Sequence, residues 1–65
     1  MMDKIKSIKY EIMKLQECID NLKKAHECIK DVDDTDEVYE KIYNISEKIN
    51  EIKMNKEIEM ESMVI

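Results

Sequence analysis

Six carboxylates crowd the eleven residues from Lys30 to Glu40, KDVDDTDEVYE: Asp31, Asp33, Asp34, Asp36, Glu37 and Glu40. Oxygen donors at this density could hold a calcium ion. A calcium-binding helix–loop–helix places ligands at loop positions 1, 3 and 5, glycine at 6 and a bidentate glutamate at 12. Counting from Asp31 gives Asp31, Asp33 and Thr35, then Asp36 where glycine is needed and Ile42 where glutamate is needed. An Asp resists the sharp backbone turn at position 6, and an Ile coordinates nothing. The stretch therefore reads as a turn. Asp34 followed by Glu37 has the spacing of a capping box, with Asp as the cap. Asp36 and Glu37 then meet the positive end of a helix starting near Asp34 or Thr35.

The remaining candidates for chemistry are few. His26 is the one histidine, and Cys18 and Cys28 are the two cysteines. Two residues along a helix point different ways, so Cys28 cannot join His26 at a metal, and Cys18 lies more than two turns off. Ten residues of helix is about 15 Å, beyond the ~7 Å that a disulfide spans. Both cysteines are expected as free thiols, Cys18 in the core and Cys28 on the surface. Ser7, Ser46 and Ser62 have no histidine nearby in sequence. No catalytic set, metal or cofactor is expected, and the chain reads as a non-enzyme.

The elements that carry these residues follow from hydrophobic spacing. Ile5, Ile8, Ile12, Leu15, Ile19, Leu22, His26 and Ile29 alternate at intervals of three and four, the pattern of an amphipathic packing helix. His26 is the single polar member and is expected to set register. Val38, Ile42, Ile45, Ile49 and Ile52 repeat the pattern. Ile29 and Val38 are nine residues apart, about two and a half turns, so one continuous helix would point the two series in opposite directions. Folding back at the acidic stretch brings them face to face. Charge agrees: residues 1–30 hold 7 Lys and 5 acids, whereas residues 35–65 hold 4 Lys and 8 acids. The expected fold is an all-α antiparallel two-helix hairpin, coiled-coil-like, with helices over 3–30 and 35–60, an acidic turn at 31–34 and a tail at 61–65.

In that hairpin Ile29 pairs with Val38, Leu22 with Ile45, Ile19 with Ile49 and Leu15 with Ile52. The match then fails, and Ile12, Ile8 and Ile5 meet Lys56, Glu59 and Met63. Ile5, Ile8, Ile12, Met54, Ile58 and Met60 are accordingly expected to form a partner-binding surface at the open end. A second surface is expected beside the seam of the first helix. Cys18, Ala25 and Val32 follow Glu11 at seven-residue spacing, and Tyr39 could close the same face. An apolar stripe that is wide on one side only suits a four-helix bundle, so a homodimer through Cys18, Ala25, Val32 and Tyr39 is expected.

Composition bounds the function classes. A chain of 65 residues buries only about 60% of the surface it exposes unfolded and needs a staple or a partner. The net charge of −5 opposes nucleic-acid binding, which needs clustered Lys and Arg. The start, MMDKIKSIKY, has no apolar segment of the kind a signal peptide carries, and no run has the length of a membrane span. A cytoplasmic protein with no membrane partner is expected. Gly, Pro and Arg are absent, which implies AT-rich coding and a low-GC bacterial, phage or viral source. The acidic outer face of the second helix could mimic DNA, but Lys41 and Lys48 interrupt it and it reads as a solvated face. The C-terminal SMVI could add to a partner's sheet edge, though it reads as a frayed helix end.

The segment IYNISEKINEI, Ile42 to Ile52, resembles the signature helix of the small two-helix aspartyl-phosphate phosphatases that regulate sporulation in bacilli. Their motif reads S-Q-E-L-D. The matching positions are Ser46, Glu47, Lys48, Ile49 and Asn50, of which Ser46 alone is identical. The resemblance covers eleven residues and implies a regulator acting on a response regulator. The primary expectation is a small protein-binding regulator or inhibitor; a purely structural bundle and the phosphatase-like regulator are the alternatives.

Overall fold

The computed structural model describes residues 2–64, which form two helices: α1, Met2–Ile29, and α2, Asp36–Val64. They pack side by side in a rod of 50 × 14 × 11 Å. His26 of α1 meets Tyr39 of α2, and Glu11 meets Lys56. Moving down α1 by fifteen residues thus moves up α2 by seventeen, so the helices are antiparallel and stay in step. The hairpin is as expected. α2 runs unbroken to Val64, beyond the residue 60 at which the sequence reading ended it.

The turn is built differently from the expected capping box. Asp34 sits in the left-handed region with φ 66°, and the Thr35 carbonyl accepts the first helical hydrogen bond from the Tyr39 N–H at 2.8 Å. Thr35 is therefore the residue at the helix start, and Asp34 is the hinge before it. The Thr35 hydroxyl reaches back to the carbonyls of Ile29 at 3.0 Å and Val32 at 2.7 Å. The Val32 N–H also donates to the Ile29 carbonyl. Carbonyls at a helix end lack intrahelical partners, so one threonine ties the end of α1 to the start of α2.

This geometry predicts opposite effects for two substitutions. A side chain with a Cβ pays about 1 kcal/mol or more in the left-handed region, and Asp pays less because its carboxylate bonds locally. Asp34→Ala should lower stability on the order of 1 kcal/mol, whereas Asp34→Gly should hold or raise it. Thermal melts of both variants check this. A loss with glycine as large as with alanine would contradict the left-handed hinge.

The rotation of α2 about its own axis corrects the sequence reading. Val38, Ile45 and Ile52 were assigned to the seam, yet they are 50%, 50% and 42% exposed. The residues turned inward are Tyr39, Ile42, Ser46, Ile49, Lys53, Lys56, Met60 and Met63, all half-buried and again spaced by three and four. Val38, Ile45 and Ile52, expected opposite Ile29, Leu22 and Leu15, therefore lie at the edge of the seam rather than within it. Two contacts fix the observed rotation. The Tyr39 ring lies on His26 with centroids 3.5 Å apart, and Lys56 reaches Glu11 at 2.8 Å. Turning Val38 inward would break both. A tyrosine ring also covers more of the seam than a valine does, and the half-buried Lys53 and Lys56 pair their ammonium groups with Glu57 and Glu11.

Candidate functional site

Among the described residues only Ile8 and Ile19, 5% and 6% exposed, are buried apolar side chains. The structure offers two long flanks rather than an enclosed site. Val38 stands beside the inward series of α2, on the edge of the seam from which Lys56 reaches Glu11. Ile45 and Ile52 follow Val38 at seven-residue spacing and share that side. On α1, Cys18, Ala25 and Val32 follow Glu11 at the same spacing. Because Glu11 contacts Lys56 across the helices, these residues lie on one flank of the hairpin. The opposite flank holds an open groove of about 620 Å³ whose lining includes Lys23, His26, Tyr43, Ser46, Glu47 and Asn50.

The expected self-association residues thus divide. Cys18 and Val32 are exposed and Ala25 is half-buried, all on the first flank. Cys18, expected in the core, is a free exposed thiol like Cys28. Tyr39 does not close this face. It is half-buried against His26, four residues before Tyr43 on the groove side. Val38, Ile45 and Ile52 stand where Tyr39 was expected. Periodicity could have found them: the series from Tyr39 to Met63 spans α2 to its end, which leaves Val38, Ile45 and Ile52 as a flank.

The expected partner-binding residues do not form one surface. Ile8 is buried, and Ile5, Ile12 and Met60 are half-buried, because the extended α2 covers the open end. The unpaired stripe assigned to Ile5, Ile8 and Ile12 is therefore corrected. Met54 and Ile58 remain, 52% and 60% exposed, on the outer side of α2 with Asn50 and Glu47 nearby.

The polar groups of the groove are mostly engaged with their own helix. The Ser46 hydroxyl donates to the Ile42 carbonyl at 2.9 Å, and the Tyr43 hydroxyl to Glu47 Oε1 at 3.0 Å. The Asn50 amide lies 3.7 Å from Met54 Sδ. His26 Nε2 is buried with no hydrogen-bond partner. Among the described residues no three His, Cys, Asp or Glu side chains converge as metal ligands, the acidic turn included. No helix of the described residues is long and apolar enough to cross a membrane.

Two groups titrate away from their ordinary values. The hydrogen bond to Glu47, then the charge of that carboxylate, holds the Tyr43 hydroxyl above its usual 10.0. The hydrogen bond to Glu11 holds Lys56 above 10.5, against the opposing effect of desolvation. Both values are raised in the fold, so their stabilisation is present below the unfolded values and lost as pH rises through the folded ones. The melting temperature should fall as pH rises past the unfolded values of 10.0 and 10.5, more gently in Tyr43→Phe and Lys56→Gln. An unchanged slope in the double variant would contradict these assignments.

Comparison of the chain with protein-family models, curated proteins and solved structures yields no match.

Proposed function

We propose that this chain is a small protein-binding module: two hairpins join into a four-helix bundle, and the bundle regulates a larger protein by occupying part of its surface. The surface balance carries this reading. A folded monomer of 7.8 kDa exposes about 4,400 Å² on the usual scaling, whereas this chain exposes 5415 Å². The excess of roughly 1,000 Å² is of the size that one partner contributes to a specific interface. Large exposed apolar side chains are part of this surface: Val38, Ile45 and Ile52 on one flank, Tyr43 on the other, and Met54 and Ile58 on the outer side of α2. Two separated apolar sets support two separate contacts, one for a second copy and one for a foreign protein.

Helix faces with apolar anchors at helical spacing bind in grooves of their partners, and Met54 and Ile58 are one turn apart. Affinity capture from the native host tests this, comparing the chain with a Met54→Ser, Ile58→Ser double variant. A protein retained by the first and lost by the second is the expected result. Identical recoveries would contradict the foreign-partner half of the proposal and leave a purely structural bundle.

A phosphatase-like reading draws on one further observation. Of the five positions matched to the S-Q-E-L-D motif, Ser46, Glu47 and Asn50 line the groove, with the serine half-buried and the other two exposed. Phosphoryl release from the host's phosphorylated response regulators tests it. Release that Asn50→Ala abolishes would favour this reading over simple surface occupation.

A further inference from the structure

The flank formed by Ala25 and Cys18 of α1 with Val38, Ile45 and Ile52 of α2 is an uncharged apolar stripe. Cys18, Ala25, Val38, Ile45 and Ile52 carry no charge, and the charges begin at the far end of the stripe, where Glu11 pairs with Lys56 at 2.8 Å and Glu59 follows Ile52 at seven-residue spacing. The chain as a whole carries −5, and the outer face of α2 holds Glu40, Glu47 and Glu51. A two-fold interface sets a patch against a copy of itself, so a patch with net charge repels its own partner. This flank does not.

The apolar part of the flank is also lopsided along the rod. It runs from Val32 and Val38 beside the turn to the level of Leu15 and Ile52, and stops at Glu11 and Lys56. The turn end carries Asp31, Asp33, Asp34 and Asp36, all exposed, and among the described residues no ion pair engages them. Two copies laid parallel would bring both sets of these carboxylates together at one end. Two copies laid antiparallel, matched over the apolar part, would instead separate the two turns and carry each to the level of the other copy's Lys14 and Lys56, whose ammonium groups pair with Glu17 and Glu11 of their own chain.

We infer that a second copy of this chain seats on the Ala25–Ile45 flank in antiparallel orientation, centred near Leu22, with the acidic turn of each copy over Lys14 and Lys56 of the other. This deepens the bundle reading of the preceding subsection and rests on it. The overlap covers about eighteen residues of α1, or about 27 Å of helix, and leaves the open ends of the two hairpins projecting in opposite directions.

Spin-label distances within the assembly test the arrangement. In a chain with Cys18→Ala and Cys28→Ser, single labels are placed at Asp33→Cys and at Asn21→Cys, both exposed positions that the fold tolerates, with helicity and sedimentation recorded for each. Antiparallel seating puts the Asp33 labels at opposite ends of the overlap, about 27 Å apart or more, and the Asn21 labels clearly closer together. Asp33 labels as close as the Asn21 labels, in a chain that sediments as a dimer, would overturn the orientation and leave the bundle standing. Monomers without dipolar coupling would overturn the bundle and the seating together.

Discussion

Ile45→Glu should abolish self-association, with helicity at micromolar concentration falling to that of the diluted, dissociated chain. Ile45 is 50% exposed and lies at the centre of the apolar flank, seven residues from Val38 and from Ile52. Fully burying an isoleucine side chain contributes about 1.5–3 kcal/mol, and the substitution removes it from both copies while adding a carboxylate to each. The midpoint of the monomer–dimer equilibrium should rise by a factor of about a hundred or more. Concentration-dependent sedimentation reads the shift. Met54→Glu, on the outer side of α2, is the control and should leave the midpoint within about threefold. Equal effects of the two would mean that the flank has no special part in assembly.

The second large effect is expected at Ile19→Ala. Ile19 is one of two buried apolar side chains among the described residues, so little else can compensate for its loss. Truncating a buried isoleucine to alanine costs about 2–5 kcal/mol, and in a domain of this size each kcal/mol moves the melting temperature by about 4–8 °C. A drop on the order of 15 °C is expected, read by circular dichroism. Ile52→Ala, by contrast, should change the melting temperature of the monomer little, because that side chain is on the flank. A reversed order would contradict the rotation of α2.

The contrast between Ile19 and Ile52 shows how much of the molecule was legible in its residues. The α1 series holds only one polar member, so the buried stripe and the apolar stripe coincide, and the helix, its inward face and the position of His26 could all be read directly. The antiparallel fold-back was legible too, from the nine-residue phase gap between Ile29 and Val38. In α2 the two stripes separate. Val38, Ile45 and Ile52 are the more apolar choice for a seam, but Tyr39, Ser46, Lys53 and Lys56 fill it. Each has a reason that spacing among apolar residues does not carry: a ring that stacks on His26, a hydroxyl that bonds its own helix at Ile42, and ammonium groups that pair with Glu57 and Glu11. Once α2 is turned, Ile45 passes from the core to the flank, and the open-end surface assigned to Ile5, Ile8, Ile12 and Met60 closes. The turn misled in a related way. Asp34 and Glu37 have the spacing of a cap, but the left-handed backbone at Asp34 hands that place to Thr35.

The central claim is that a hairpin with a thin core, Ile8 and Ile19 among the described residues, completes it with a second copy of itself. Sedimentation equilibrium at micromolar concentration, with helicity followed on dilution, tests it most directly. The account predicts a species of twice the 7.8 kDa chain mass, and helicity that falls as dilution separates the copies. A well-folded 7.8 kDa monomer, with helicity independent of dilution, would contradict it.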